Sequence, residues 1–352
     1  ITTTLSPGEW RYWIASEKDS ILTIDASVIA PVSTLPSPSV IFDRSFSTPG
    51  LRGARYSPNG NSYAIVGTNH TTFVSGPFVS SASVGTSNVR LAFPDNQQWL
   101  IGDDTLGVYR ANSFQIPLPV PQPVATRRTG TVRDMAADSQ LLFTTLGYLG
   151  LSVFDLQSGT QEITSVLHTT EIADVTGVAI LPGTRSAYVA DQERGIFHVT
   201  VPDSFSDSLL LEQQYTGTRL GRLDWEPLTG RLVSSRFRRG LTLLRPSVDS
   251  TSLEELASFN PGVESIDHVA WISPRLVAAA EWDGDVHFIG ETTPGNWEPI
   301  GFWRTLETTA TCVDLDSNGS EVLVAFSNGR VIGLNASTIS QLLPLSDTFL
   351  IK

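Results

Sequence analysis

Short runs of alternating apolar and polar residues, rich in Val, Ile, Leu, Phe, Tyr and Trp, recur along the whole chain between turn-forming residues. Alternation bounded by Gly, Pro, Asn and Asp predicts β-strands, and no segment follows a helical period. The clearest units are strand pairs joined by a polar tip: 12–16 with 21–25, 63–67 with 72–74, 99–102 with 107–109, and 142–145 with 150–154. Four more follow, 188–191 with 195–199, 232–235 with 240–244, 276–279 with 286–289, and 323–326 with 331–334. Ahead of each lies a short apolar strand ending in a turn, as in Ser57-Pro58-Asn59-Gly60, Phe93-Pro94-Asp95-Asn96 and Asp316-Ser317-Asn318-Gly319. Proline presets φ for such turns, while Gly and Asn tolerate positive φ.

The tip exits Gly150, Gly195, Gly240, Asp285 and Arg330 are spaced by 45 residues each time. Strand a, turn, strand b, tip, strand c, loop and strand d therefore form one repeated unit. Such a sheet exposes two apolar faces, so copies must stack and the stack must close. The pattern predicts an all-β fold, a single β-propeller of eight four-stranded blades over residues 1–352. Seven blades are the alternative, if the irregular stretch 51–123 forms one and a half blades instead of two. The first strand a falls on residues 1–5 and the last strand d on 341–345. The tail 348–352 is read as a latch on the first blade, and the Pro-rich segments 31–38 and 117–123 as c–d loops.

The Ser-Pro-Asn-Gly turn and the hairpin after it resemble the WD40 family and its bacterial PD40-type relatives over nearly the whole chain. The resemblance implies a divergent WD40-like repeat in a propeller, and the family's partners do not carry over with it. The family's Trp-Asp at the end of strand c is absent, with Phe154-Asp155 and Ile24-Asp25 nearest to it, and so is its Gly-His before strand a.

Composition then narrows the function. Asp and Glu outnumber Lys and Arg by 36 to 23, giving a net charge of −13. An acidic protein of this kind lacks the positive potential of a broad nucleic-acid surface. The apolar runs are a few residues long, too short for a helical membrane span. The chain opens at Ile1 without a methionine, compatible with a processed extracytoplasmic protein or a fragment. Cys312 is the single cysteine, so no internal disulfide forms, and its apolar setting reads as structural. Sequons at Asn69, Asn318 and Asn335 are near chance frequency and place the chain nowhere.

Candidate chemistry gathers at the b–c tips. Arg236, Phe237, Arg238 and Arg239 form a basic tip, flanked by Asp191, Glu193 and Arg194 on one neighbour and by Trp282 and Asp283 on the other. Guanidinium groups beside an exposed indole grip carboxylates, phosphates or acidic peptides. Alternatively, neighbouring tips neutralise one another through surface ion pairs of little energy. Among the histidines, His268 beside Asp267 opens a strand a near the channel and is the better candidate. His198 and His287 fall in c strands as packed rings.

The stretch 188–197, with the Asp224 turn and 232–235, is loosely similar to β-propeller phytases. That similarity implies calcium held by carboxylates and phosphate-ester hydrolysis by metal-activated water. Arg194 intrudes where the acidic run is expected, and those phytases have six blades. The sequence thus supports a non-catalytic scaffold or binding module without cofactor. It engages a protein partner or an anionic ligand through the b–c face, within a larger assembly. Calcium-dependent hydrolysis is the alternative.

Overall fold

The computed structural model describes residues 9–18, 21–31, 35–47, 50–84, 88–103, 107–112, 121–125, 132–156, 166–172, 174–205, 207–260, 265–305 and 310–343, the first two segments by backbone alone. Contacts divide the chain into two compact units, Ile1–Pro36 and Ser37–Lys352, with the boundary inside the Pro-rich segment 31–38. In the first unit, β1 (Glu9–Lys18) and β2 (Ile21–Pro31) pair antiparallel in a two-stranded sheet of their own.

The second unit holds seven four-stranded antiparallel sheets, the blades of a β-propeller. It begins with β3 (Val40–Ser45). Blade 1 is β4 (Leu51–Tyr56), β5 (Ser62–Gly67), β6 (His70–Ser75) and β7 (Phe78–Ser83). Blade 2 is β8 (Asn88–Ala92), β9 (Gln98–Asp103), β10 (Gly107–Asn112) and β11 (Gln122–Ala125). Blade 3 is β12 (Asp134–Ala137), β13 (Leu141–Thr145), β14 (Leu151–Asp155) and β15 (Val166–Thr169). Blade 4 is β16 (Val175–Leu181), β17 (Ser186–Asp191), β18 (Gly195–Thr200) and β19 (Leu210–Tyr215). Blade 5 is β20 (Leu223–Glu226), β21 (Arg231–Ser235), β22 (Leu241–Pro246) and β23 (Leu253–Phe259). Blade 6 is β24 (Ile266–Ser273), β25 (Leu276–Glu281), β26 (Val286–Thr293) and β27 (Asn296–Trp303). Blade 7 takes β28 (Cys312–Ser317), β29 (Glu321–Phe326) and β30 (Arg330–Asn335), and its outer strand is β3. A single turn of helix, α1 (Ser337–Ser340), follows β30.

The ring therefore has seven blades, and the expectation of eight is corrected. The stretch 51–123 does form two complete blades. What the count lost is the first repeat: its hairpin, residues 12–16 and 21–25, lies in the separate β1–β2 sheet. The strand assigned to its outer edge, β3, instead completes blade 7. Residues 337–343, where the last d strand was placed to begin, form α1 and the turns after it. The proposed tail latch, 348–352, and the first strand a, 1–5, lie outside the described residues.

Core packing explains why the ring closes. The b strands are apolar on both sides, and seven buried clusters each join two adjacent blades. In β29, Val322 and Val324 pack toward blade 6, whereas Leu323 and Ala325 pack toward blade 1. Alternation on a strand buried on both faces is the physical reason a lone blade cannot persist. Trp99 is fully buried between blades 1 and 2 and stacks on Phe73 at 5.0 Å, and Trp271 is buried between blades 5 and 6. These indoles fill the space between blades.

The seam is secured twice at the rim. Arg330 clamps Asp43 of β3 with two hydrogen bonds, Nε to Oδ1 at 2.9 Å and Nη2 to Oδ2 at 2.7 Å. Phe42 lies over Gly333, where any Cβ would meet its ring, and stacks on Tyr63 of blade 1 at 5.5 Å. This alternation of strand direction puts the a–b turns on one face of the ring and the b–c tips on the other. No helix is long and apolar enough to cross a membrane among the described residues.

Candidate functional site

The b–c tips of blades 3 and 5 share one turn. In blade 3, Leu146 N–H donates to Gly150 O (2.8 Å) and Gly150 N–H to Gly147 O (3.0 Å); in blade 5, Arg236 N–H donates to Gly240 O (2.6 Å) and Gly240 N–H to Phe237 O (2.9 Å). The second turn position needs a left-handed backbone, φ +57° at Gly147 and +51° at Phe237. Glycine adopts this freely, whereas a bulky side chain there stores strain of about 1–3 kcal/mol. Phe237 is nonetheless held: its carbonyl accepts Ile266 N–H at 3.1 Å, and its ring packs over Gly221.

Around Phe237 the sequence-predicted residues divide. Arg238 and Arg239 are exposed, and Arg236 is half-buried with its Nε lacking a hydrogen-bond partner. None of the three makes an ion pair among the described residues. Asp191 is buried, and its Oδ1 accepts the N–H groups of Glu193 (3.0 Å) and Arg194 (2.9 Å), shaping the tip from inside. Glu193 and Arg194 are exposed, with Arg194 Nη1 donating to Glu171 O at 2.7 Å. Trp282 is 52 % exposed while its backbone is tied down, N–H to Ser265 O and carbonyl to Cys312 N–H, each 2.9 Å. On blade 3 the same face shows Tyr148 at 73 % exposure and Leu149 at 53 %.

Asp283 belongs to a carboxylate group with Glu281 and Asp285, whose oxygens lie within 4.8 Å of one another. Each already has a partner: Glu281 takes His287 Nε2 at 2.8 Å, Asp283 accepts Asp285 N–H at 3.1 Å, and Asp285 accepts Thr305 N–H at 2.8 Å and faces Arg304 at 3.4 Å. All three come from one tip. Calcium asks for six to eight oxygens, so these residues do not fit the calcium cage that the phytase resemblance implies.

The channel carries the chemistry that sequence reasoning largely missed. Strand pairing places Gly53, Arg90, Asp134, Gly177, Arg222, His268 and Asp314 at equivalent positions of the inner strands, a first ring. Two residues on, Arg55, Asp224 and Asp316 share a second ring with four alanines. A bulge precedes the first ring in blades 1, 2, 4, 6 and 7. Bulges re-aim side chains and gather near sites.

Four aspartates of these rings bind the backbone of the next blade. Asp134 Oδ2 accepts Val178 N–H (3.2 Å), Asp314 Oδ2 accepts Ala54 N–H (3.1 Å), Asp224 Oδ2 accepts Trp271 N–H (2.6 Å) and Asp316 Oδ2 accepts Tyr56 N–H (2.7 Å). Inner strands are sheet edges, so their outward N–H groups would otherwise lack partners. Arginines fill the space between: Arg222 pairs with Asp134 and stands 3.6 Å from Asp314, as does Arg55, while Arg90 reaches the carbonyls of Arg133 (2.8 Å) and Arg52 (2.5 Å) on either side.

Burial works against every charge here, and partners decide the outcome. For Asp314 burial raises the pKa, but Arg55 and Arg222 outweigh it and hold the carboxyl at about 2. For His268 burial, reinforced by Arg222, pushes the pKa down to about 3, so the ring is neutral at pH 7. Its Nδ1 and the Nη2 of Arg222 lack hydrogen-bond partners among the described residues. For Asp224 burial raises the pKa to about 7, with Asp316 adding to it.

The structure thus brings His268 into the channel cluster, and it leaves the predicted tip residues on three consecutive blades of one face. The missed residues had a signal: Arg90, Asp134, Arg222 and Asp314 are charges in or beside the short inner strands at the same phase of the repeat. No protein-family model matches the chain, and no curated protein matches it.

Proposed function

We propose that this propeller is a non-catalytic binding module that docks an acidic protein surface on the b–c face of blades 3 to 6. The observation that carries the reading is Phe237, a bulky residue in the left-handed turn position that Gly147 fills in blade 3. Strain at a tip is retained where the displayed side chains matter. Two exposed arginines follow it directly, and Asp191 and Asp283 of the neighbouring tips are engaged in their own turns rather than with these cations. Exposed Trp282 and Tyr148 supply the aromatic anchors that interfaces favour.

The channel aspartates and arginines serve blade-to-blade attachment. A partner with clustered Asp and Glu would be steered by Arg194, Arg238 and Arg239, then seated on Phe237 and Trp282. Replacing Arg236, Arg238 and Arg239 together with Glu should abolish capture of the partner from native extract while the melting temperature stays put. Trp282→Ala should weaken capture at least tenfold. Undiminished capture by the triple variant, with fold intact, would remove the b–c face from consideration.

A further inference from the structure

Ala92, Ala136 and Ala179 of the second channel ring leave room at the end of the channel opposite the tips. A recess of about 230 Å³ lies there, lined by Met135, Ala136, Ala179, Ile180 and Trp225, with Arg55 and Asp224 in the same lining. A neighbouring recess of about 200 Å³ shares Arg55, Met135, Ala136 and Ile180 with it. Half of the ring is thus apolar and small, and the other half is charged. The volume falls below that of a drug-sized pocket, so only a compact ligand fits.

Charge decides which ligand. Arg55 is the single cation in the lining, and its guanidinium already serves Asp316 at 3.4 Å, Asp314 at 3.6 Å and Asp134 at 3.9 Å. Asp224 makes no ion pair among the described residues. Its Oδ1 accepts Trp225 N–H at 3.0 Å and its Oδ2 accepts Trp271 N–H at 2.6 Å, so each oxygen keeps acceptor capacity. An anion entering the recess would approach Arg55 but meet the field of Asp224 and Asp316. A metal ion would find one carboxylate among alkyl groups, far from an oxygen cage. A cation with an apolar body satisfies both halves.

We propose that this recess binds a small organic monocation, an ammonium on a compact apolar body, with Asp224 as counter-ion and Met135, Ala136, Ala179, Ile180 and Trp225 around the body. The site is distinct from the b–c face and stands whether or not the docking reading does. Asp316 and Arg55 are the other charged groups facing Asp224. Because burial holds Asp224 near neutrality, occupancy of the cationic ligand rises as the carboxylate ionises.

Calorimetric titration of the full chain with benzylammonium, benzyl alcohol and benzoate tests the assignment. Benzylammonium should bind saturably at millimolar concentration, and its affinity should fall roughly tenfold from pH 8 to pH 6 as Asp224 takes up a proton. Asp224→Asn should weaken it at least tenfold, and Ala179→Leu, which fills the recess without touching a charge, should abolish it even if Asp224→Asn proves unstable. An Arg238→Glu, Arg239→Glu variant should bind benzylammonium as before. Equal binding of benzyl alcohol, comparable binding of benzoate, or no saturable benzylammonium binding would each overturn the proposal.

Discussion

Asp314 Oδ2 accepts the backbone N–H of Ala54 at 3.1 Å across 260 positions of sequence and, with Asp316 on Tyr56, fastens the last inner strand to the first. The same carboxylate faces Arg55 and Arg222 from its Oδ1, each at 3.6 Å. Closure of the ring is therefore electrostatic at the channel and apolar between the sheets.

Asp314→Ala should cost about 3–5 kcal/mol, because it leaves the Ala54 N–H without its acceptor and takes a buried carboxylate away from the Arg55 and Arg222 guanidinium groups. Asp316→Ala, with one arginine at stake, should cost less. Urea unfolding of both variants beside the parent checks the order, and a near-neutral Asp314→Ala would refute the channel's share in closure.

Acid should act through His268. Its folded pKa, about 3, lies below the usual 6.5, so its contribution to stability is complete above 6.5 and is lost as pH falls toward 3. The full loss is on the order of 5 kcal/mol. Asp314, held near 2, adds a further loss as pH falls from 3.8 through 2. Asp224 works the other way, its stabilisation being present below 3.8 and lost as pH rises through about 7. Melting temperatures of the parent and His268→Gln across pH 3–7 should converge at the acid end, and parallel curves would contradict this account.

The rim seam should depend more on packing than on charge. Arg330→Ala breaks an exposed pair and should cost about 0.5–1 kcal/mol. Phe42→Ala removes the ring between Gly333 and Tyr63 and should cost about 2 kcal/mol or more. Thermal melts rank the two, and a larger effect at Arg330 would invert the argument.

Cys312 should report on unfolding. The residue is 4 % exposed, and burial, with Asp314 adding to it, pushes the thiol pKa far up. A thiol reagent at pH 8 should label it only as fast as the ring opens, tracking the unfolding rate with denaturant. Fast labelling in native buffer would place Cys312 at a locally open seam.

Calcium should leave the melting temperature unchanged, since Glu281, Asp283 and Asp285 are engaged by His287, Arg304 and backbone N–H groups. A calcium-dependent rise reversed by EDTA would return the carboxylate tip to consideration.

The b–c hairpins were legible because alternation and turn chemistry are local, and each of the eight sequence units does form an antiparallel pair. Blade count was not. Residues 12–16 and 21–25 carry the same local pattern as β5 and β6, yet only nonlocal pairing decides which hairpin joins a ring. The outer strand of blade 7 shows why: Val40↔Leu334 is a pairing that no period reveals. At the site, Arg238, Arg239 and Trp282 were readable as exposed tip residues from their place between strands. Asp191 was read as a surface acid, but its position before the turn makes it an internal acceptor. The channel charges escaped because they are scattered over separate strands, and only superposing the repeats puts Asp134, Arg222 and Asp314 on one ring.

The borrowed strand of blade 7 also sets a schedule for synthesis. Asp43 waits 287 residues for Arg330, so at about 5–20 residues per second a nascent chain carries β3 without its sheet for roughly 15–60 s. During that interval six blades can form, but the ring must stay open with an adhesive edge at either end. Nascent chains of this protein should therefore need shielding until the final blade emerges from the ribosome, and chains stalled before residue 330 should self-associate through the missing place in the circle.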